Sequence, residues 1–205
     1  MSKYWGRVLF CGLAALLVWG GAPAEVQAAR AGRNSQAAGV IITPSLFPAY
    51  VTDSNAKQWG YINRQGKFQT APRYEAAYDY DPNGLARVTE KGKVGVISSK
   101  GRYIFEPVYQ SVTPFAGGVA VAFDGKTYQV LHESGKVIYQ SEDYIGPFSE
   151  GLAVIRQSTL QKQELYGYID TRGQTVIEPQ FSYAAAFRQQ RAIVRSVSGQ
   201  YQIID

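Results

Sequence analysis

One short pattern returns five times along this chain, headed by Trp59, Val94, Tyr128, Tyr166 and Tyr201, at intervals of 35, 34, 38 and 35 residues. Self-similarity at this period restricts the fold to an array of small units. One unit cannot bury its apolar face alone and must stack on neighbours. The clearest copies are Lys57–Lys67 (KQWGYINRQGK), Lys93–Arg102 (KVGVISSKGR), Thr127–Lys136 (TYQVLHESGK) and Leu165–Gln174 (LYGYIDTRGQ), with a fifth at Gln200–Asp205 (QYQIID). A polar insertion, Ser158–Glu164 (STLQKQE), accounts for the longest interval.

Each unit reads as three short strands rich in Val, Ile and Tyr, the residues that suit a pleated surface. The first is Leu85–Val88, Val119–Ala122, Leu152–Ile155 or Ala192–Val194, and the aromatic-glycine strand follows. A four-residue turn then leads to a third strand such as Tyr103–Phe105 or Thr175–Ile177. These turns open on Asn63, Ser98, His132 or Asp170 and close on Gly66, Gly101, Gly135 or Gly173. That order fits a type I turn closed by a left-handed glycine. Trp59 and Tyr61 share one face and Gly60 and Ile62 the other, so both faces are apolar and the strand is sandwiched. Glycine in such a strand marks close approach by another backbone or a large ring, although Gln129 and Gln202 replace it in two copies. A proline that ends a strand is followed two residues on by an aromatic at Pro72/Tyr74, Pro107/Tyr109 and Pro179/Phe181. A second ring follows at Tyr80, Phe115, Phe148 and Phe187 and is expected to plug the core. Outside the leader, the only helix-like stretch is a short turn at Ser182–Phe187.

These residues resemble the WG-repeat family, over about residues 50–205. The match rests on Lys57–Gly66, Gly146–Val154 and Leu165–Phe181, with Trp59, Gly60, Gly66, Gly95, Gly101, Gly135, Tyr166, Gly167 and Gly173 as the structural motif. Only Trp59 keeps the tryptophan of the family name. The resemblance implies an all-β repeat array of bacterial proteins, usually without assigned activity, and it carries over no catalytic residue. The expected fold is all-β, with about five three-stranded or hairpin repeats. These form an open β-solenoid-like stack or, alternatively, a small propeller-like closed ring.

Upstream of the repeats, Lys3 and Arg7 precede an apolar run at Val8–Ala22 and a small-residue cleavage site at Val26-Gln27-Ala28. That is the pattern of an export signal, and the run is too short for a good membrane span. The expected organisation is a signal peptide at 1–28, a flexible linker at 29–48 and the repeat domain at 49–205. Cys11 lies inside the leader, which leaves the exported chain without thiols and excludes disulfides and thiolate chemistry. Removing Lys3, Arg7 and Glu25 leaves a mild net charge of about +4, with no dense Lys/Arg run of the kind that marks nucleic-acid binding. A hydrophobic content of 45% against 18% charged residues excludes a disordered chain.

Catalytic constellations are sparse. His132 is the only histidine, so no multi-histidine metal site or histidine triad can be assembled. Its place among Asn63, Ser98 and Asp170 marks it as a turn residue. Glu106 and Glu178 precede prolines in two repeats and are the only candidates for a glycosidase pair. No cofactor is expected. The second turns carry Arg64, Lys67, Lys100, Arg102, Lys136 and Arg172, which would form a basic edge if the units stack in register. Tyr78, Tyr80 and Tyr183 are candidates for surface rings. The expected function is an exported, non-enzymatic binding or scaffolding module for a protein or an anionic envelope polymer. A carbohydrate-active enzyme is the alternative.

Overall fold

The computed structural model describes residues 9–10, 46–53 and 56–205. Every regular element among them is a β-strand, and the strands form five antiparallel sheets in chain order. Sheet one holds β1 (Leu9–Phe10), β2 (Leu46–Asp53), β3 (Ala56–Asn63) and β4 (Phe68–Tyr74). Sheet two holds β5 (Ala76–Ala77), β6 (Leu85–Glu90), β7 (Lys93–Ser98) and β8 (Tyr103–Tyr109). Sheet three holds β9 (Ser111–Val112), β10 (Val119–Phe123), β11 (Tyr128–His132) and β12 (Lys136–Ser141). Sheet four holds β13 (Tyr144–Ile145), β14 (Leu152–Ser158), β15 (Glu164–Asp170) and β16 (Thr175–Phe181). Sheet five has three strands, β17 (Tyr183–Ala184), β18 (Ala192–Arg195) and β19 (Tyr201–Ile204).

The unit is thus four strands rather than three. A two-residue strand that periodicity is too short to reveal starts each of sheets two to five, and β17 occupies the stretch read as a helical turn. The signal and linker segments fall outside the described residues, except for 9–10 and 46–48. The former pair with β2 at Ala49 and Tyr50. Leu46, Phe47 and Pro48, read as linker, belong to β2 and pair with Asn63, Ile62 and Tyr61. The 158–164 insertion lengthens one hairpin, whose pairing runs out to Ser158 opposite Glu164.

Packing between sheets follows one rule. The face carrying the head residue of the repeat turns towards the next sheet, and the glycine face turns towards the previous one. Tyr61 and Tyr74 of sheet one pack on Ala86, Val88 and Ile97 of sheet two. Val96 and Tyr109 pack on Val112, Phe115 and Ala120. Val121 and Val130 meet Ile145, Phe148 and Ile169, and Tyr168 meets Phe187, Ala192 and Val194. The rings Phe115, Phe148 and Phe187 are therefore core plugs at successive interfaces, as the spacing predicts.

The turns predicted to close on left-handed glycine do so, with φ of 73° at Gly66, 71° at Gly101, 89° at Gly135 and 76° at Gly173. From the second unit onward, the turn glycine lies against the previous sheet's outer strand. Gly101 lies by Thr70, Gly135 by Ile104 and Gly173 by Tyr139, whereas Gly66 faces open space. Sheet five leaves its forward face exposed, with Tyr201 at 68% and Ile203 at 69%. Among the described residues the array is therefore an open stack.

Proline does not end the third strand as expected. Pro72, Pro107 and Pro179 lie inside β4, β8 and β16, where the outer strand carries two residues more than its partner between registered pairs. A bulge needs no ladder N–H at the proline. It also brings backbone over the strand glycine: a Cβ on Gly60 would lie 2.5 Å from the Thr70 carbonyl, and one on Gly95 would lie 2.9 Å from the Pro107 nitrogen.

Candidate functional site

The connection between the first and second strands of each sheet from the second onward ends in a tight turn. At aligned positions the sequence reads Gly84-Leu85, Gly118-Val119, Gly151-Leu152 and then Gln190-Arg191. Glycine is wanted there because the backbone is left-handed, at φ 74° for Gly84, 80° for Gly118 and 87° for Gly151. In sheet five two consecutive non-glycine residues take that conformation, Gln189 at 54° and Gln190 at 61°. An L-residue there costs about 1–2 kcal/mol, so something must hold it.

Sheet four supplies the hold. The Gln189 N–H donates to Glu150 Oε1 at 2.8 Å and the Gln190 N–H to Glu150 Oε2 at 2.7 Å. Beside it, the Ser149 hydroxyl donates to the Phe187 carbonyl at 2.7 Å. Both turns are thereby locked together, and Arg188 and Arg191, which flank the glutamines, stand exposed at their ends. Arg191 occupies a position that is apolar in the other sheets, so its charge is not a demand of the repeat.

These arginines border a groove of about 750 Å³, lined also by Tyr144, Tyr166, Tyr183 and Ile193. Its floor is fixed from below. The Tyr168 hydroxyl donates to the Ala185 carbonyl at 2.7 Å, and burial followed by the neighbouring Tyr183 pushes that phenol up to about 12, so it stays protonated at neutral pH. Arg156 stacks over Tyr144 at 5.5 Å and pairs with Glu164 at 3.1 Å. The groove thus offers ring surface, amide groups and two cationic forks. Such a set suits a ligand with flat faces and anionic groups.

The six residues of the expected basic edge all stand exposed in repeat-equivalent turns, one or two in each of sheets one to four. They do not converge on one cavity. Arg172 is held by its own turn, with Nε donating to Asp170 Oδ2 at 2.9 Å, and the turn's N–H groups keep that carboxyl below the usual range, the Gln174 N–H most of all. His132 serves its turn by accepting the Ser134 N–H at Nδ1, 3.1 Å away. Of the candidate surface rings, Tyr183 lines the groove. Tyr78 lies under the Arg87 guanidinium at 4.5 Å, and the Tyr80 hydroxyl donates to the Ser98 carbonyl at 3.2 Å. Glu106 and Glu178 are exposed on β8 and β16, in sheets separated by sheet three. Among the described residues no group of three or more His, Cys, Asp or Glu could hold a metal ion, and no helix is long and apolar enough to cross a membrane.

Sequence reasoning missed Arg188–Arg191, although its signal was visible. Alignment of the four turn sequences shows glycine and an aliphatic residue giving way to glutamine and arginine.

A family model described as WG containing repeat matches residues 59–93, 95–128, 131–158 and 166–201. No curated protein matches the chain. Among solved structures, the computationally designed Ika4 protein is similar at 16% identity and a TM-score of 0.37, over 59% of this chain and 84% of that one. The WD40 domain of Toxoplasma gondii coronin is similar at 8% identity and a TM-score of 0.36, over 74% of this chain and 50% of that one. A eukaryotic initiation factor is similar at 9% and 0.40, over 78% and 47%. The chain spans about half the length of these last two.

Proposed function

The chain belongs to the WG containing repeat family, and from that premise we propose that it is an exported, non-enzymatic binding module whose partner docks in the groove of sheets four and five. The partner is a protein or an anionic glycan of the envelope or surroundings. One observation carries the reading: the repeat is broken at Gln190 and Arg191, where glycine and an aliphatic residue would be cheaper for folding, and the strained turn is clamped by Glu150. Strain retained against the preference of the repeat is the mark of a functional constraint.

A non-enzymatic role is supported by the placement of the acids. Glycosidase carboxylates work at separations of about 5–10 Å. Packed sheets are spaced about 10 Å apart, and Glu106 and Glu178 belong to sheets two steps apart. Export is supported by the basic start, apolar run and small-residue site before Ala29. Cleavage there would also remove Leu9–Phe10 and leave sheet one with three strands.

The test is retention on anionic envelope material and on secreted proteins at low and moderate salt. Reversing Arg188 and Arg191 to glutamate should abolish retention, whereas reversing Arg64, Lys100, Lys136 and Arg172 should leave most of it. Full retention by a folded groove variant would overturn the assignment. Binding should weaken as salt rises, because the attraction is screened.

A further inference from the structure

The residue paired with the head of the repeat is a ring in sheets one, two and four, and not in sheet three. Tyr74 stands opposite Trp59, Tyr109 opposite Val94 and Phe181 opposite Tyr166. In sheet three Ser141 stands opposite Tyr128. The cause is the outer strand itself, because β12 lacks the two bulge residues that carry β4, β8 and β16 out to their ring. Each ring joins the core of the next interface at one position. Tyr74 shares a core cluster with Val88, Tyr109 with Ala122 and Phe181 with Val194. Ile155 holds the equivalent position in sheet four, where the counterpart of the ring is Ser141.

Where the fourth ring would lie there is a slot of about 140 Å³ between β12 and sheet four, lined by both Ser141 and Ile155. Small-molecule sites begin at about 300 Å³, so this one has room for a single ring. Its walls are held in place. Tyr139 lies against the Gly173 turn, where a glycine Cβ would stand 2.5 Å from the tyrosine's own Cβ. Tyr144 packs edge-on to Tyr128, with 5.2 Å between centroids. The Asp143 N–H donates to the Ser141 hydroxyl at 3.0 Å, which keeps Asp143 at the slot. Gln157, Thr175 and Glu178 add further polar groups to the lining. The side chains of these three and of Asp143 form no hydrogen bond or ion pair with another described residue.

We propose that this slot binds one neutral sugar ring, a pyranose of a glycan or glycoside, where the other sheets place a ring of their own. An aromatic ring would match the shape but would strip water from the four polar side chains and return nothing. A pyranose answers them. Its hydroxyls donate to both carboxylates and accept from the Gln157 amide, while its C–H face rests on tyrosine. Charge selects against an acidic sugar: Asp143 and Glu178 are two carboxylates, and the one cation in the lining, Arg156, is already paired with Glu164 at 3.1 Å. The groove's arginines present the opposite sign, and Tyr144 is the only residue common to both linings. The slot therefore does not rest on the assignment of the groove.

The probes are the uncharged methyl glycosides of glucose, galactose, mannose and N-acetylglucosamine, each titrated into the full chain and read by saturation-transfer NMR. At least one should bind saturably. Ser141→Tyr supplies the ring of the other sheets and should abolish that binding while the thermal midpoint stays at or above wild type. Asp143→Ala combined with Glu178→Ala removes the acceptors and leaves the slot open. Binding should then fall at least about tenfold in a protein of unchanged midpoint. This second variant decides the matter if the first fails to fold. Reversal of Arg188 and Arg191 should leave glycoside binding unchanged, so the slot and the groove fail independently. Absence of saturable binding by every glycoside would overturn the proposal, as would binding indifferent to both slot variants or abolished by the arginine reversals. So would saturable binding of N-acetyltyrosine amide but of no glycoside, since the slot would then take an aromatic side chain of a protein.

Discussion

Gln129 stands directly opposite Gln140, at the place where three other sheets set a glycine beneath a proline bulge. Glycine and bulge occur together and vanish together. The two extra residues of the outer strand, Ala71-Pro72, Glu106-Pro107 or Glu178-Pro179, push their backbone across the aromatic-glycine strand, and only a residue without Cβ leaves room. In sheet three the outer strand lacks the proline and a long side chain is accommodated.

Gly167→Ala is therefore expected to destabilise the fold by about 1–3 kcal/mol or more, since its Cβ would meet the Ile177 carbonyl and lie 2.7 Å from the Pro179 nitrogen. Gln129→Ala, where the ladder has no proline bulge and Gln129 pairs in register with Gln140, should cost less. Denaturant midpoints of the two variants decide the matter, and equal values would refute the coupling of glycine to bulge.

The turn glycines separate two costs that usually arrive together. At Gly66 a side chain would be strained by φ of 73° but meets open space. Gly66→Ala should then cost about 1–2 kcal/mol from conformation alone. At Gly101 the conformation is similar, but a Cβ would also lie 3.0 Å from Thr70 Oγ1 of the neighbouring sheet. Gly101→Val should exceed Gly66→Ala, and part of the excess should disappear in a Thr70→Ala background, measured as a double-mutant cycle.

Stability in acid should depend on Asp124. Its carboxyl is held down at about 2, first by the Thr127 N–H and then by the Lys126 N–H and the Thr127 hydroxyl, each at 2.8 Å. A carboxyl depressed in the folded state contributes stability that is present above its unfolded value near 4 and is lost as pH falls towards 2. Asp124→Asn should flatten the decline of the thermal midpoint between pH 4 and pH 2. An unchanged slope would show that the β10–β11 turn does not govern the acid response.

Much of the array was legible in the sequence because repetition multiplies weak signals. Four turn glycines at one phase, and rings after each proline, give a strand pattern that no single copy would justify. The two-residue inner strands were not legible, since two residues hold no period. The prolines misled because an x-Pro step reads locally as a strand end, while the ladder on either side of the bulge carries the strand onward. The basic edge was legible as a row of charges. That Arg172 is engaged by Asp170 was not, because this contact is a side-chain geometry. The groove needed alignment of the copies against each other, and a search for residues the repeat does not require.

Glu150 is where that requirement can be tested by energetics. Its carboxylate accepts both N–H groups of a turn that would otherwise rest on glycine, so removing it exposes the strain it offsets. Glu150→Ala should destabilise the protein by about 1.5–3 kcal/mol, the range for charge-assisted hydrogen bonds, with the lower end favoured by the exposure of the turn. Replacing Gln189 and Gln190 by glycine should restore much of that loss, because glycine adopts the left-handed conformation without cost. Ligand retention should behave differently. With the clamp gone and the turn relaxed, Arg188 and Arg191 are no longer held at the groove rim, and preorganised binding should fall even where stability has recovered. A triple variant that regains its thermal midpoint but not its retention would establish the turn as a positioning device. One that regains both would reduce Glu150 to a structural prop.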